Sequence, residues 1–199
     1  MKKIKFLFDL GNVFFDWDPR YFYKDVFDDS DKMEYFLNNI CNDEWNFKQD
    51  SGRLIKDGEL ELISQFPDFE AQIKMYYSNH KKMIRKYFKL SVELLNFLFV
   101  KGYESYVLSN WSSETFIGMK EEYPFLKQFK GMIISGEEKL CKPDPAIYKL
   151  AISRFNLDPQ QTVFVDDKYE NILAAKKLGF QTIHLKNPDK IKSMVLEKI

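Results

Sequence analysis

Net charge is the first thing this chain of 199 residues lacks: its 30 Lys and Arg cancel its 30 Asp and Glu. That balance excludes a protein held chiefly by attraction to nucleic acid or to an anionic membrane surface. Cysteine is almost absent. Cys41 and Cys141 lack metal-ligand spacing and read as reduced core thiols. No apolar run approaches the roughly 20 residues that span a bilayer. The start MKKIKFLFDLGN has the outline of a signal peptide, but its apolar stretch is short, broken by Asp9 and followed by no A-x-A-like site. Repeats, low-complexity tracts and Pro/Gly/Ser-rich linkers are missing as well. These absences predict a soluble cytoplasmic protein, a monomer or weak dimer, built as one domain or as a core with a modest insertion. What is plentiful is apolar and aromatic: 45% of residues are apolar, and 19 Phe and 11 Tyr are enough to fill sizeable cores.

Short apolar runs occur at 4–8 (IKFLF), 104–108 (ESYVL), 131–135 (GMIIS) and 162–166 (TVFVD), with a fifth candidate at 181–185 (QTIHL). None alternates with period two, which fits strands buried on both faces. Amphipathic stretches at 91–102, 144–157 and 169–180 separate them, carrying helix signals such as Pro145 near a first turn and Gly179 after a last one. Strands alternating with helices predict an α/β fold: a Rossmann-like, doubly wound parallel sheet. Residues 17–88 break the alternation. They are aromatic, charged and helix-like, and we read them as a helical insertion after the first strand. The expected organisation is a core of 1–16 and 89–199 with a helical cap at 17–88.

Ligands of such sheets bind beyond the carboxyl ends of the strands. Asp9 follows the first run, Ser109 and Asn110 the second; Lys142 comes soon after the third, and Asp166 and Asp167 close the fourth. Singly, each has an ordinary explanation as a cap, a turn or a solvated surface residue. The adjacent acids are harder to dismiss, because like charges repel unless something neutralises them. Carboxylates at two strand ends suit a hard cation such as Mg²⁺. The lysine suits a phosphoryl oxygen or a nucleophilic carboxylate, and the serine hydroxyl suits a phosphate oxygen.

Asp after strand one, Ser after strand two, Lys-Pro, then Asp-Asp: this order resembles the haloacid dehalogenase (HAD) superfamily over nearly the whole chain. The insertion after the first motif resembles the helical cap of its subfamily I. FDLGNV, VLSNWSSETF, EEYPFL, KPDPAIY and VFVDDKYENILAAKKLGF resemble a phosphatase branch that includes bacterial glucose-1-phosphate phosphatases. NDEWNFKQDSGR (42–53) resembles the cap sequence of these relatives. The resemblance implies that Asp9 is the nucleophile of a phosphate-ester hydrolase, forming an aspartyl-phosphate. It implies Mg²⁺ on the Asp9 carboxylate, the Gly11 carbonyl and Asp167, with Asp166 acting through a metal-bound water or exchanging roles with Asp167. Ser109 and Asn110 would bind the phosphoryl group of a small-molecule ester. Lys142 would neutralise charge on it, and Asn171 would orient the acidic loop.

One departure matters. Most HAD phosphatases read D-x-D, and the second acid serves the leaving group; here that position is Gly11. The in-line general acid, typically worth about 10²–10⁴-fold, is therefore missing from this motif. Asp16, Asp18 and Asp50 are alternative acids, and without one, aryl phosphates should react well compared with alkyl phosphates. The competing activity is 2-haloacid dehalogenation, which needs neither the acid nor a metal. A third reading is a non-catalytic HAD protein that binds a phosphorylated ligand or a partner. Candidate specificity residues are Gln49, Asp50 and Arg53 in the cap, Arg20 near its start, and Trp111.

Overall fold

Which faces the short runs bury explains why they become central strands. The computed structural model describes residues 3–199. Its strands are β1 (Lys5–Phe8), β2 (Phe15–Trp17), β3 (Ile84–Tyr87), β4 (Ser105–Ser109), β5 (Gly131–Ile134), β6 (Thr162–Asp166) and β7 (Gln181–His184). Five of them form one parallel sheet in the order β5-β4-β1-β6-β7. Phe6 and Phe8 of β1 join Val107, Val163 and Val165 on one face, against Leu94, Leu95 and Leu98 of a following helix and Ile191 and Val195 near the end of the chain. Leu7 points the other way, with Leu108, Ile133 and Phe164, under Ile147, Tyr148 and Ala151. Both faces are covered, so the inner positions of β1, β4, β5 and β6 are apolar. This is the α/β, Rossmann-like arrangement that the alternating runs predict, with the strands within a residue of their expected bounds.

Local signals set the helix ends. Asp144 accepts a hydrogen bond from the Ala146 N–H (2.8 Å), capping the helix Pro145–Arg154, whose first residue is the proline. The helix Tyr169–Lys177 is followed by Gly179 at φ +88°, a left-handed turn that glycine adopts without a Cβ penalty.

Between β2 and β3 lie α1 (Arg20–Tyr23), α2 (Ser30–Tyr35), α3 (Asp43–Asp50), α4 (Ile55–Gln65) and α5 (Glu70–Ser78). They enclose a separate aromatic core that includes Tyr23, Phe36, Trp45, Ile73, Tyr76 and Tyr77. One feature differs from the sequence reading, which saw no strand in this stretch. β2 and β3 pair antiparallel as a ribbon at the two ends of the helical segment. The Ile84–Tyr87 strand is mostly exposed and carries Arg85 and Lys86, so it has no apolar run to announce it.

The helical layer meets the sheet layer at the end of α3. The Ser135 hydroxyl donates to the Asp50 carbonyl (2.6 Å), the Ser51 hydroxyl to Cys141 Sγ (3.1 Å), and the Ile55 N–H to Glu114 (2.8 Å). Gly52 sits between these contacts at φ +94°, where an added Cβ would lie 2.8 Å from the Lys139 side chain. Asp50 is thereby fixed relative to the sheet.

Phe14 is fully buried in the core of the sheet layer, stacking on Phe125 and meeting Phe8 and Phe129 edge-on. Phe14→Ala should cost about 3–5 kcal/mol of unfolding free energy, read from urea denaturation midpoints at an unchanged slope.

Candidate active site

Asp9 leaves β1 with its N–H bonded to the Val165 carbonyl of the neighbouring strand (2.9 Å). Its Oδ1 accepts from the Ser109 hydroxyl (2.6 Å) and lies 3.0 Å from Lys142 Nζ. The same ammonium is 2.7 Å from Asp166 Oδ2, and both Lys142 and Asp166 are shut off from solvent. Burial alone would lower the Lys142 pKa, but Asp166 and Asp9 outweigh it and raise it, so the lysine stays charged. Asn110 holds the lysine's backbone from both sides: its Nδ2 donates to the Lys142 carbonyl (2.8 Å), and its Oδ1 accepts from the Lys142 N–H (2.9 Å). Both ends of the amide are therefore engaged with the backbone. That differs from the expected phosphate contact and makes Asn110 the clamp that aims the lysine.

The two adjacent acids are not equivalent. Asp166 Oδ1 accepts from the Lys168 N–H (2.8 Å) and Asn171 Nδ2 (3.0 Å), and its Oδ2 takes Lys142. Every direction around it is occupied. Asp167 receives one weak side-chain contact, from Asn12 Nδ2 (3.3 Å), and faces the pocket. Desolvation, with Asp9 and Asp166 adding repulsion, pushes its carboxyl up to about 7.

Oxygen atoms of Asp9, Asp166 and Asp167 lie within 4.8 Å of one another. Three carboxylates around one ammonium leave a surplus of negative charge at close range. All-oxygen donors with that surplus fit a hard divalent cation such as Mg²⁺. Gly11 is beside them, and a Cβ there would meet nothing within 4 Å. No steric demand explains why this position lacks the acid.

A pocket of about 140 Å³ opens over these groups. Asp9, Gly11, Lys142 and Asp167 line its floor; Asn46 and Asp50 of α3, with Trp17, His80 and Trp111, line its walls. His80 Nδ1 and Trp17 Nε1 are buried there without a protein partner. Burial lowers the His80 pKa to about 4, so its imidazole is neutral at physiological pH. Trp111 packs on Phe15 and His80, and its N–H donates to Thr115 (3.1 Å), so only its ring is offered to the pocket.

Several expected contacts lie elsewhere. Arg20 pairs with Glu34 (2.6 Å) and Asp18, tying α1 to α2. Asp16 accepts from Tyr21 (2.7 Å) and Arg85 (2.9 Å) on the ribbon. Gln49 is fully buried behind α3, and Arg53 joins it to Glu61. None of these lines the pocket, because each is held by a neighbour that draws it away; of the acids considered for the missing role, Asp50 alone does so. Asn12, Trp17, Asn46, His80 and Lys168 line it without having been singled out in the sequence. Asn46 was within reach, being four residues before Asp50 and so on the same helix face. His80 carries no local signal.

Comparison with known proteins gives the family. A family model described as haloacid dehalogenase-like hydrolase matches residues 40–185. A sesquiterpene phosphatase, astK, of Aspergillus oryzae is 27% identical over 180 residues, 90% of this chain and 88% of that protein. A mouse protein, acyl-CoA dehydrogenase family member 10, is 29% identical over 133 residues; these are 64% of this chain and 12% of that much longer protein. A HAD family enzyme of Bacteroides thetaiotaomicron, solved with magnesium and inorganic phosphate, shares the fold at a TM-score of 0.68 and 22% identity, covering 92% of this chain and 93% of its own. The motifs, the sheet order and the matched family model all lead to one assignment: the chain belongs to the haloacid dehalogenase-like hydrolases.

Proposed function

We propose that this hydrolase is a Mg²⁺-dependent phosphomonoesterase acting on a small phosphorylated metabolite of the sugar-phosphate kind. In this reading it works through an aspartyl-phosphate on Asp9, with residues 17–88 as its cap. Its FDLGNV opening supports a place in the branch that includes glucose-1-phosphate phosphatases. The observation that carries the proposal is the set of three carboxylates gathered around one buried ammonium. A haloacid dehalogenase would have no use for that surplus charge, since its leaving halide needs neither metal nor proton.

Asp9 Oδ1 is held by Ser109 and Lys142, while Oδ2 has no hydrogen-bond donor among the described residues and is free to attack phosphorus. Lys142 offsets the charge that develops as the bond forms, and Asn110 keeps its ammonium at that point. Splitting hydrolysis into two displacements lets one rigid site serve both, mostly through positioning and electrostatics. Mg²⁺ on Asp9, Asp167 and the Gly11 carbonyl, with Asp166 behind them, would supply charge neutralisation for the phosphoryl oxygens. The aromatic walls formed by Trp17, His80 and Trp111 suit a leaving group with an apolar side.

Two outcomes follow. Phosphate release from a panel of sugar phosphates should require Mg²⁺ and vanish in Asp9→Asn, with no halide released from chloroacetate; halide release that survives EDTA would reverse the assignment. Thermal melts should separate metal binding from turnover. Near pH 8 in EDTA, Asp167→Asn should melt above wild type, because it removes a repelled charge. In millimolar Mg²⁺ the order should reverse, since only wild type gains binding free energy.

A further inference from the structure

The proton donor that Gly11 does not supply has a replacement on the cap. We propose that Asp50, the last residue of α3, is the general acid and base of this site, held in place by a hydrogen-bond chain through Asn46, Tyr77, Gln49 and Arg53. This inference rests on the phosphatase reading above and deepens it.

The chain has one possible direction. Arg53 Nε can only donate, so Gln49 turns its Oε1 towards it (2.5 Å). Gln49 Nε2 then donates to the Trp45 carbonyl (2.6 Å) and to the Tyr77 hydroxyl (3.1 Å). Tyr77, already accepting, donates its own proton to Asn46 Oδ1 (2.8 Å). That leaves Asn46 Nδ2 to donate to Asp50 Oδ2 (3.0 Å). Asn46 thus pins one carboxyl oxygen, Oδ2. The backbone is pinned as well, by the Ser135 hydroxyl on the Asp50 carbonyl. Gln49 and Arg53 thus serve as positioning residues, which accounts for their place away from the pocket.

The surroundings suit a group that must gain and lose a proton. Protein atoms surround the Asp50 side chain, yet part of its surface faces the pocket that also exposes Asp9. It stands at a helix C-terminus, where the dipole disfavours a carboxylate. The titratable and charged groups facing it are Asp9 and Lys168 from the core loops, Tyr76 and Tyr77 from α5, and Cys141. Burial raises its pKa, Asp9 adds to this, and the Ser112 amide, Lys168 and Asn46 pull the other way, leaving it at about 7. Both protonation states are then populated at neutral pH, as a group that alternates between acid and base requires.

In the first displacement, Asp9 Oδ2 bonds to phosphorus, the bond to the ester oxygen breaks, and the Asp50 proton passes to that oxygen to release an alcohol. In the second, the Asp50 carboxylate takes a proton from water as the water oxygen bonds to phosphorus. The bond to Asp9 breaks, and inorganic phosphate leaves with Asp50 protonated again.

The test is Asp50→Asn, assayed on esters of rising leaving-group pKa from p-nitrophenyl to alkyl phosphate. Wild-type kcat/KM should depend only weakly on the leaving group. In the variant, alkyl phosphates should lose about 10²-fold or more in kcat/KM, and p-nitrophenyl phosphate far less. The variant should also release a burst of p-nitrophenol matching the enzyme concentration, because water attack on the aspartyl-phosphate lacks its base. Equal losses on both ester types, unchanged alkyl hydrolysis, or a wild type already as steep as the variant would each overturn the role of Asp50. The wild-type series does not depend on the variant folding. Absence of Mg²⁺-dependent phosphate release by wild type from every ester would overturn the phosphatase reading itself, and the role with it.

Discussion

A single ammonium sealed between two carboxylates organises this site. Lys142 Nζ lies 3.0 Å from Asp9 and 2.7 Å from Asp166, with no access to solvent. A buried charge of this kind persists only while its partners remain, and removing one partner of a buried pair typically costs about 3–5 kcal/mol. The lysine therefore locks two strand ends together: Asp9 after β1 and Asp166 at the end of β6. Asn110, just beyond β4, locks the lysine's own backbone. The residues that set up the chemistry are thus the ones that tie the carboxyl edge of the sheet into one piece.

The helical layer completes what the sheet begins. The sheet presents the carboxylates and the ammonium of the pocket floor, while the walls above come from α3, the β2 end and His80. The same contacts that dock α3 on the core, Ser135 to Asp50 and Ser51 to Cys141, also decide where Asp50 stands. Packing and site geometry are coupled at that point. A shift of α3 would move Asp50, the pocket wall and the contacts between the helical layer and the sheet together.

The sheet and its rim were legible in the sequence because their physics is local. An apolar run that ends in a polar residue can be read without knowing its neighbours, and Asp9, Ser109 and Asp166–Asp167 carried that signature; Lys142, a few residues beyond its run, was read from its place near the same rim. Asp50 could be named as an acid but not chosen over Asp16 and Asp18, since the choice depends on which carboxylates are captured elsewhere. Asp16 is taken by Arg85 and Tyr21, and Asp18 by Arg20; these partners come from packing of the ribbon and of α1. Arg20, Gln49 and Arg53 looked like ligand contacts for the same reason. A polar side chain near a motif has no direction until the fold supplies its partners. His80 and the exposed strand Ile84–Tyr87 were invisible because neither lies in a patterned stretch.

The central claim is that Asp9, aimed by Lys142 and Ser109, takes the phosphoryl group onto its own carboxylate. Acid quench of the enzyme during turnover of a sugar phosphate, then borohydride reduction and peptide mass analysis, measures this directly. Reduction of an acyl phosphate converts the aspartate to homoserine, so the account predicts homoserine at position 9 in wild type and none there in Asp9→Asn. Homoserine at position 166 or 167, or no reduced aspartate while phosphate is still being released, would contradict it.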